Sequence, residues 1–412
     1  MRRRARAGPG ASAGRRSRWL PAIALALAAL LAALALRLDT EAPPPLRLQR
    51  TLAAYVRLPG AGPAFAWPRA GEAAVEVRGV GAAAEPERQR PVPIASVAKV
   101  MTAYLTLREH PLARGSEGFE MTITAAEAAE ERERAALDES VLPVLAGERL
   151  SERQALEALL LPSANNVAAL LAAHDAGAAG AFVTRMNATA RGLGMSSTRY
   201  TDPSGFEAST VSTARDQLLL ARAAMGVPAL AAIADERSAR LPVVGRVENY
   251  DALVGREGFV GLKTGSDSAA GGCLVFVKRT TVSGRRLTVL GVVLGQRSGG
   301  YVEAALTSAR RLADSVAASV RVRTLLPRGT RVLRASAADG RWTDAATAAA
   351  LRGLGWGGLA YAVSVRPGAH GRSVRAGERL ATVSIAPSTR TGALALGPLR
   401  GPSLGWRLRH LL

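Results

Sequence analysis

The stretch from Pro91 to His110 joins an extended entry to a helix that carries a serine and a lysine near its start. Its two prolines keep the approach extended, because the residue before a proline is disfavoured in the helical region. Apolar residues then recur at helical spacing up to about Arg108. Ser96 and Lys99 are three residues apart and share one helix face. Ser96 is expected in the first turn, where unpaired backbone N–H groups favour developing negative charge.

The serine–lysine pair alone is a weak indication of chemistry, because most such pairs are a capping serine and a solvated lysine. The composition strengthens it. The chain has 54 Lys and Arg residues, and only Lys99, Lys263 and Lys278 are lysine. Lysine differs from arginine in that its amine loses a proton when it is buried or placed beside other cations. A retained lysine is therefore a candidate for a role that needs a deprotonable amine.

The charge and the metal-ligating residues exclude several classes of function. The formal net charge is +21, and seven arginines with no acid occupy the first 18 residues. No basic helix with interleaved aromatics follows, so we expect no nucleic-acid partner and instead an anionic membrane or cell-envelope surface. Cys273 is the single cysteine, so no intramolecular disulfide is possible. The four histidines are scattered, with no ligand-pair spacing, and we predict no metal site and no cofactor.

The N-terminal region has the pattern of a membrane anchor or signal segment. Residues 1–18 are predicted to be a disordered, basic, cytoplasmic tail. Residues 19–36 form an unbroken apolar run near the lower length limit for a membrane-spanning helix. Arginines before such a run stay in the cytoplasm, which places the remainder on the extracytoplasmic face of the cell membrane. Ala33-Leu34-Ala35 resembles a signal-peptidase site, and cleavage there would give a secreted protein. Residues 37–63 are read as a linker.

Residues 64–319 are expected to form one domain with a helical lobe and an antiparallel sheet, and residues 320–412 a small β-rich domain. The charges of a helix from Thr124 to Ala136 are interpreted as a solvated face. Other predicted helices are 152–161, 167–174, 181–193, 214–225 and 301–318. Predicted strands are 64–67, 73–80, 259–265, 271–277 and 287–294, with a hairpin turn at 282–285.

Three short motifs stand in order along this domain: Ser96-x-x-Lys99, Ser163-x-Asn165 and Lys263-Thr264-Gly265. They fall on a helix start, a loop between helices and a strand. This pattern resembles the penicillin-recognising serine enzymes. The segments IASVAKVMTAYL, ALEALLLPSANN, TDPSGF, VGLKTG and GVVLGQR resemble the serine-type D-alanyl-D-alanine carboxypeptidases, the low-molecular-mass penicillin-binding proteins, over about residues 64–315.

The resemblance implies an α/β fold of the β-lactamase/transpeptidase type. In this fold an antiparallel sheet is flanked by helices, beside a helical lobe, with the β-rich domain at the C-terminus. The implied activity removes the terminal D-alanine of peptidoglycan stem peptides through a Ser96 acyl-enzyme. β-Lactams are expected to acylate the same serine. Such an enzyme takes part in peptidoglycan biosynthesis and the maintenance of cell shape.

The residue types suit this chemistry. Lys99 is the natural base for the Ser96 hydroxyl if it is buried and if Lys263 stands close enough to depress its pKa. Ser163 is expected to relay a proton to the leaving amine, and Asn165 offers a donor and an acceptor to a substrate amide.

The third motif is expected to bind substrate. Lys263 and Thr264 offer a cation and a hydroxyl to a carboxylate, and Gly265 permits close approach of the substrate backbone. By resemblance, the backbone N–H groups of Ser96 and Ser266 form the oxyanion hole. Arg297 holds the terminal carboxylate by resemblance, or else is a surface arginine.

Three alternatives remain open at this stage. A class A β-lactamase-like hydrolase needs a glutamate for deacylation, and no E-x-x-L-N follows Ser163, while Glu207 lacks that context. A transpeptidase uses the same chemistry with another acceptor. A non-catalytic cell-wall-binding module that keeps the fold needs no deprotonable amine. The sequence also departs from some relatives at Ser266-Asp267, where they carry His-Thr, and this affects terminal-carboxylate recognition and pH behaviour.

Overall fold

The computed structural model describes residues 19–40, 44–80, 82–86, 89–386 and 389–411. They divide into two compact units. The first unit takes its described residues from Met1–Val56, Leu326–Leu351 and Ala362–Leu412, and the second consists of Arg57–Leu325 and Arg352–Tyr361. All three motifs lie in the second unit. The predicted basic tail, residues 1–18, lies outside the described residues.

The secondary structure alternates between helix and strand in the second unit and is mostly strand in the first. The helices are α1 (Trp19–Thr40), α2 (Lys99–Glu109), α3 (Ala125–Ala136), α4 (Glu152–Leu160), α5 (Asn165–Ala176), α6 (Ala179–Gly192), α7 (Ala214–Ala224), α8 (Pro228–Ala234), α9 (Tyr301–Ser319) and α10 (Leu404–Leu411). The strands are β1 (Arg47–Arg50), β2 (Tyr55–Arg57), β3 (Glu72–Arg78), β4 (Ala82–Ala84), β5 (Val92–Pro93), β6 (Glu120–Thr122), β7 (Arg149–Ser151), β8 (Val211–Ser212), β9 (Ser238–Leu241), β10 (Gly245–Glu248), β11 (Lys263–Asp267), β12 (Gly271–Val282), β13 (Arg285–Gln296), β14 (Arg321–Leu326), β15 (Arg331–Ser336), β16 (Trp342–Thr347), β17 (Leu351–Gly355), β18 (Ala360–Pro367), β19 (Arg379–Ile385) and β20 (Thr389–Ala395).

A five-stranded antiparallel sheet in the order β11-β12-β13-β3-β4 supports the second unit. The hairpin β12–β13 turns at Ser283 and Gly284, whose φ values are +50° and +75°. Two consecutive positive φ values suit a two-residue hairpin with the twist of the strands. Leu274 and Val293 of the hairpin pack with Leu312 of α9 in one buried cluster. The predicted hairpin and closing helix are therefore confirmed.

The helical lobe follows local capping signals. Ser151 and Gln154 form a capping box that starts α4, and Thr213 accepts the backbone N–H of Asp216 to start α7. Helix α5 begins at Asn165, two residues before the predicted start. Helix α8 was not predicted from the sequence. It starts with Pro228 in its first turn, a position where the missing N–H costs nothing.

Several sequence predictions are wrong in detail. Residues 64–67 form no strand, and Phe65 instead packs edge-to-face on Trp67 and Trp356. Strand β11 begins at Lys263 rather than at Phe259, because Gly258 and Gly261 have φ values of +83° and +69°, which interrupt an extended chain.

The predicted solvated face of α3 is also wrong in part. Glu131 is buried, and Arg134 forms an ion pair with Glu139, whose side chain is 4% exposed. The charged side chains of this helix therefore do not all face solvent, since that of Glu131 is buried.

The first unit contains a seven-stranded sheet in the order β1-β15-β16-β20-β19-β18-β2. Strands β1 and β2 fall within the segment 37–63 that the sequence predicts to be a linker. The 22-residue α1 is long and apolar enough to span a membrane by itself, since about 20 apolar residues cross the hydrocarbon core. The predicted domain boundaries remain a prediction.

Candidate active site

Ser96 lies in a tight turn between β5 and α2. Strand β5 pairs with β8, which keeps the proline-rich entry extended as predicted. A 3-10 turn over Ala95–Ala98 follows and feeds into α2 at Lys99. Ala95 has a φ of +45°, which is unusual for a residue with a side chain and marks a backbone held by its surroundings. Ser96 is half-buried while its neighbours are buried.

Lys99 is fully buried, and its amine is surrounded by three oxygen atoms. The Nζ atom lies 2.7 Å from Ser96 Oγ, 2.5 Å from Asn165 Oδ1 and 3.1 Å from the Ser204 carbonyl oxygen. Burial lowers the pKa of Lys99 well below its ordinary value, and the positive charge of Lys263 lowers it further. The charge of Lys263 therefore acts on the Lys99 amine.

The second motif occupies the connection between α4 and α5. Ser163 has a φ of +68°, and its buried Oγ has no hydrogen-bond partner among the described residues. Asn165 begins α5, and its Nδ2 donates to Glu139 Oε2 at 2.7 Å. Glu139 in turn lies 3.1 Å from Arg134. The amide of Asn165 is thereby fixed, with its oxygen toward Lys99 and its nitrogen toward a carboxylate.

The third motif lies on the edge strand β11. Lys263 is 1% exposed, and its Nζ has no hydrogen-bond partner in the described part of the chain. Burial lowers the pKa of Lys263 to about 7, although the charge of Asp251 opposes the shift. Burial also raises the pKa of the Asp251 carboxyl to about 6. A buried amine with unused donors is suited to receive an anionic ligand.

Gly265 brings β11 against the Ser96 turn. A side-chain carbon at this position would lie 2.9 Å from the backbone nitrogens of both Ser96 and Val97. Thr264 is buried beside it, and Ser266 is exposed. Strand β11 therefore lies directly against the Ser96 turn. This close approach is possible because position 265 has no side chain.

Arg297 lies at the same end of the sheet. Its guanidinium donates to the carbonyl oxygens of Ser268 at 3.0 Å and Ala269 at 2.5 Å, which belong to the turn between β11 and β12. The side chain is exposed and braces this turn in the structure. The roles predicted for Arg297 and Ser266 remain predictions.

Sequence reasoning missed residues that support the serine turn. Asp202 Oδ2 accepts the backbone N–H groups of Ser204, Gly205 and Phe206, which shapes the loop that supplies a carbonyl to Lys99. Gly205 packs so closely that a side-chain carbon there would lie 1.9 Å from the Ala95 carbonyl oxygen. The signal was available as the turn sequence Asp-Pro-Ser-Gly, whereas nothing local pointed to Glu139.

Two of the three lysines in the sequence, Lys99 and Lys263, lie in this site. Lys278 lies outside this site, where its amine binds Asp314 and sits 4.7 Å from the centre of the Phe259 ring. This ion pair joins β12 to α9.

Residues 82–298 match the family model described as D-alanyl-D-alanine carboxypeptidase. The D-alanyl-D-alanine carboxypeptidase DacB2 of Mycobacterium tuberculosis is 40% identical over 150 residues, which are 35% of this chain and 50% of that protein. The D-alanyl-D-alanine endopeptidase of Escherichia coli is 31% identical over 218 residues, 48% of this chain and 62% of that protein. The chain thus spans about half to three fifths of the length of these curated relatives.

Solved structures give the same fold. The Streptomyces K15 DD-transpeptidase matches with a TM-score of 0.53 at 24% identity, covering 61% of this chain and 99% of that chain. The D-alanyl-D-alanine carboxypeptidase DacD of Francisella tularensis matches with a TM-score of 0.58 at 18% identity, covering 83% and 96%. At these identities the likeness concerns the fold alone. The predicted β-lactamase/transpeptidase-like fold is confirmed.

Proposed function

The chain belongs to the D-alanyl-D-alanine carboxypeptidase family, and from this premise we propose that it removes the terminal D-alanine of peptidoglycan stem peptides. The reaction is acyl transfer through Ser96. One observation carries the proposal: Ser96 Oγ lies 2.7 Å from the amine of a fully buried lysine whose pKa is well below its ordinary value. A hydroxyl becomes a competent nucleophile when such a base is within hydrogen-bond reach.

The surroundings of Lys99 support its role as the base. A neutral amine has two N–H donors and one lone pair. Asn165 Oδ1 and the Ser204 carbonyl are acceptors only, so they take the two N–H groups. The lone pair is then left to accept the Ser96 O–H, which is the proton that must leave during attack.

Lys263 and Thr264 are the proposed site for the substrate carboxylate. The Lys263 amine is buried and unpartnered within the described residues, so an incoming carboxylate supplies the contacts it lacks. The free carboxylate of a terminal D-alanine and that of a β-lactam are both ligands of this kind. Arg297 is proposed to assist by holding the neighbouring turn.

The chemical steps follow from these positions. Ser96 Oγ attacks the penultimate D-alanine carbonyl, and the oxygen of this carbonyl accepts hydrogen bonds from the backbone N–H groups of Ser96 and Ser266. Loss of one such donor costs about 10²- to 10³-fold in rate in other enzymes. Lys99 takes the Ser96 proton, Ser163 relays it to the leaving amine of the terminal D-alanine, and water then hydrolyses the acyl-enzyme. Asn165 binds the substrate amide.

We also propose that α1 anchors the chain in the cell membrane with its catalytic unit on the extracytoplasmic side, where peptidoglycan lies. The first 18 residues carry seven arginines and no acid, which favours a cytoplasmic N-terminus. Cleavage after Ala35 remains the alternative and would release the protein from the membrane.

Intact mass spectrometry of the purified chain with and without a fluorescent penicillin tests the proposal. We expect one covalent adduct on the wild type and none on Ser96→Ala. Release of D-alanine from an acetylated tripeptide ending in D-Ala-D-Ala should be lost in the same variant. The same mass reports whether the N-terminal segment has been removed. An adduct that survives in Ser96→Ala, or its absence from folded wild type, would contradict the proposal.

A further inference from the structure

Two of the four histidines in the chain meet at one carboxylate, 64 positions apart in sequence. His110 Nε2 lies 3.4 Å from Asp175 Oδ1, and His174 Nδ1 lies 2.9 Å from the same oxygen. One ligand atom from each of the three residues lies within 4.8 Å of the others. The Asp175 side chain is fully buried, while the two imidazoles are about one-third exposed. The cluster is therefore closed on the protein side and open to solvent on the other.

The remaining contacts hold the carboxylate in a ligand-like orientation. Thr106 Oγ1 donates to Asp175 Oδ2 at 2.6 Å, which leaves Oδ1 facing the two imidazoles. The Phe119 ring stacks on His174 with centroids 3.9 Å apart and meets His110 edge-on at 5.0 Å. Metal ligands are oriented by outer hydrogen bonds and packing of this kind.

A second buried carboxylate lies near the cluster. Glu152 is 2% exposed, and its Oε1 has no hydrogen-bond partner among the described residues. This carboxyl lies within electrostatic range of His110, Asp175 and His174. Asp175 and Glu152 are thus two buried carboxylates near the imidazoles, and Glu152 Oε1 has no partner in the described part of the chain. A dication would balance this charge.

We propose that His110, His174 and Asp175 bind a divalent transition-metal ion of the Zn²⁺ class, with solvent in the open position. Zn²⁺ takes imidazole nitrogen and carboxylate oxygen at about 2.0–2.2 Å, which puts tetrahedral ligands about 3.3 Å apart. The distances from Asp175 Oδ1 to His110 Nε2 and His174 Nδ1, 3.4 Å and 2.9 Å, are close to this separation. The sequence predicted no metal site because the ligands come from two helices and share no local spacing.

The site joins the far ends of the two helices that carry the catalytic candidates. Lys99 starts α2 and His110 follows its last residue, while Asn165 starts α5 and His174 and Asp175 lie in its last turn. At 1.5 Å per residue, the eleven residues from Lys99 to His110 put the cluster about 16 Å from Lys99 along α2. A bound ion would therefore fix the spacing of α2 and α5 without touching the reacting groups, and its binding can be measured independently of catalysis.

The test uses the full chain in detergent, stripped with EDTA and titrated with ZnCl₂ by calorimetry. We expect one Zn²⁺ per chain with a Kd below about 10 μM. His110→Asn and His174→Asn should each weaken binding by at least about 100-fold, since even outer-shell changes cost about 10- to 100-fold. His370→Asn and His410→Asn are matched controls outside the cluster and should leave the Kd unchanged.

A second measurement does not depend on the variants folding. Co²⁺ added to the stripped wild type should give visible absorption bands of a low-coordinate nitrogen–oxygen site, and Zn²⁺ should abolish them. Zn²⁺ should also raise the Tm of the wild type but not that of folded His110→Asn, because a ligand that binds only the folded state stabilises it. Binding weaker than about 10 μM, equal binding in the cluster variants, or equal loss in the control variants would overturn the proposal and leave an ion-pair cluster.

Discussion

Replacing Asp251 by Asn tests whether the charge state of Lys263 limits activity. Burial lowers the pKa of the Lys263 amine to about 7, and the negative charge of Asp251 opposes part of this shift. Asp251→Asn keeps the oxygen that accepts the Leu253 N–H but removes the negative charge. A nearby opposite charge shifts a pKa by about 1–3 units. Because Asp251 forms no hydrogen bond with Lys263, the lower limit applies and predicts a Lys263 pKa of about 6 in the variant.

The size of the effect follows from the protonated fraction of Lys263. At about pH 7.5 that fraction falls from about one quarter to about 3%, an approximately eight-fold loss of kcat/KM if only the cation binds the carboxylate. At about pH 5.5 the two enzymes should be nearly equal, since Lys263 is largely protonated in both and Asp251, with its pKa of about 6, is mostly neutral in the wild type.

The assay is a pH profile of kcat/KM for D-alanine release, which reports groups of the free enzyme. We expect the alkaline limb to move about one unit to lower pH in Asp251→Asn. Asp235→Asn is the matched control, because its carboxyl also has a raised pKa through burial but faces Arg279 instead of Lys263. An equal loss at every pH, or an alkaline limb moved upward, would refute the reasoning.

Two further predictions concern the cost of building this site. Lys263→Met should raise the free energy of unfolding by about 2–5 kcal/mol near pH 6, because the buried amine has its pKa lowered to about 7. This gain in stability should shrink as pH rises from about 7 to about 10.5, the range in which the unfolded wild type holds the extra proton. Lys278→Met is the control: it loses an ion pair, so denaturant unfolding should show a loss of stability. Gly265→Ala should lower the free energy of unfolding by about 1–3 kcal/mol and slow penicillin acylation, because the added side-chain carbon would lie 2.9 Å from the Ser96 nitrogen. Gly300→Ala is the control: its side-chain carbon would meet open space, so neither property should change. Unchanged acylation in Gly265→Ala would show that the strand does not need this close approach.

The chemistry-bearing residues were largely readable from the sequence. Serine and lysine at helical spacing, a polar loop between helices and a Lys-Thr-Gly strand are local patterns. In the structure Lys99 starts α2 and Lys263 starts β11, whereas Ser96 lies in the 3-10 turn before α2 and Asn165 starts α5 instead of lying in the loop. The scarcity of lysine also pointed to Lys99 and Lys263 before any contact was known. These signals work because periodicity and turn chemistry act over a few residues.

Features that depend on distant contacts could not be predicted. Glu139 reaches Asn165, and Asp251 acts on Lys263, across gaps in sequence that no local pattern spans. The burial that lowers the pKa of Lys99 comes from packing of several elements. The strand predicted at 64–67 failed because its aromatics serve side-chain packing rather than sheet pairing.

The sequence by itself determined which groups carry the chemistry and which local elements hold them, because those choices rest on residue type and short-range spacing. Only the tertiary structure decided their charge and reach. Burial and neighbouring charge set the proton affinity of the two amines, and the side-by-side packing of α2 and α5 placed His110, His174 and Asp175 together. Desolvation and long-range contacts are properties of the folded chain, so no segment of sequence carries them alone.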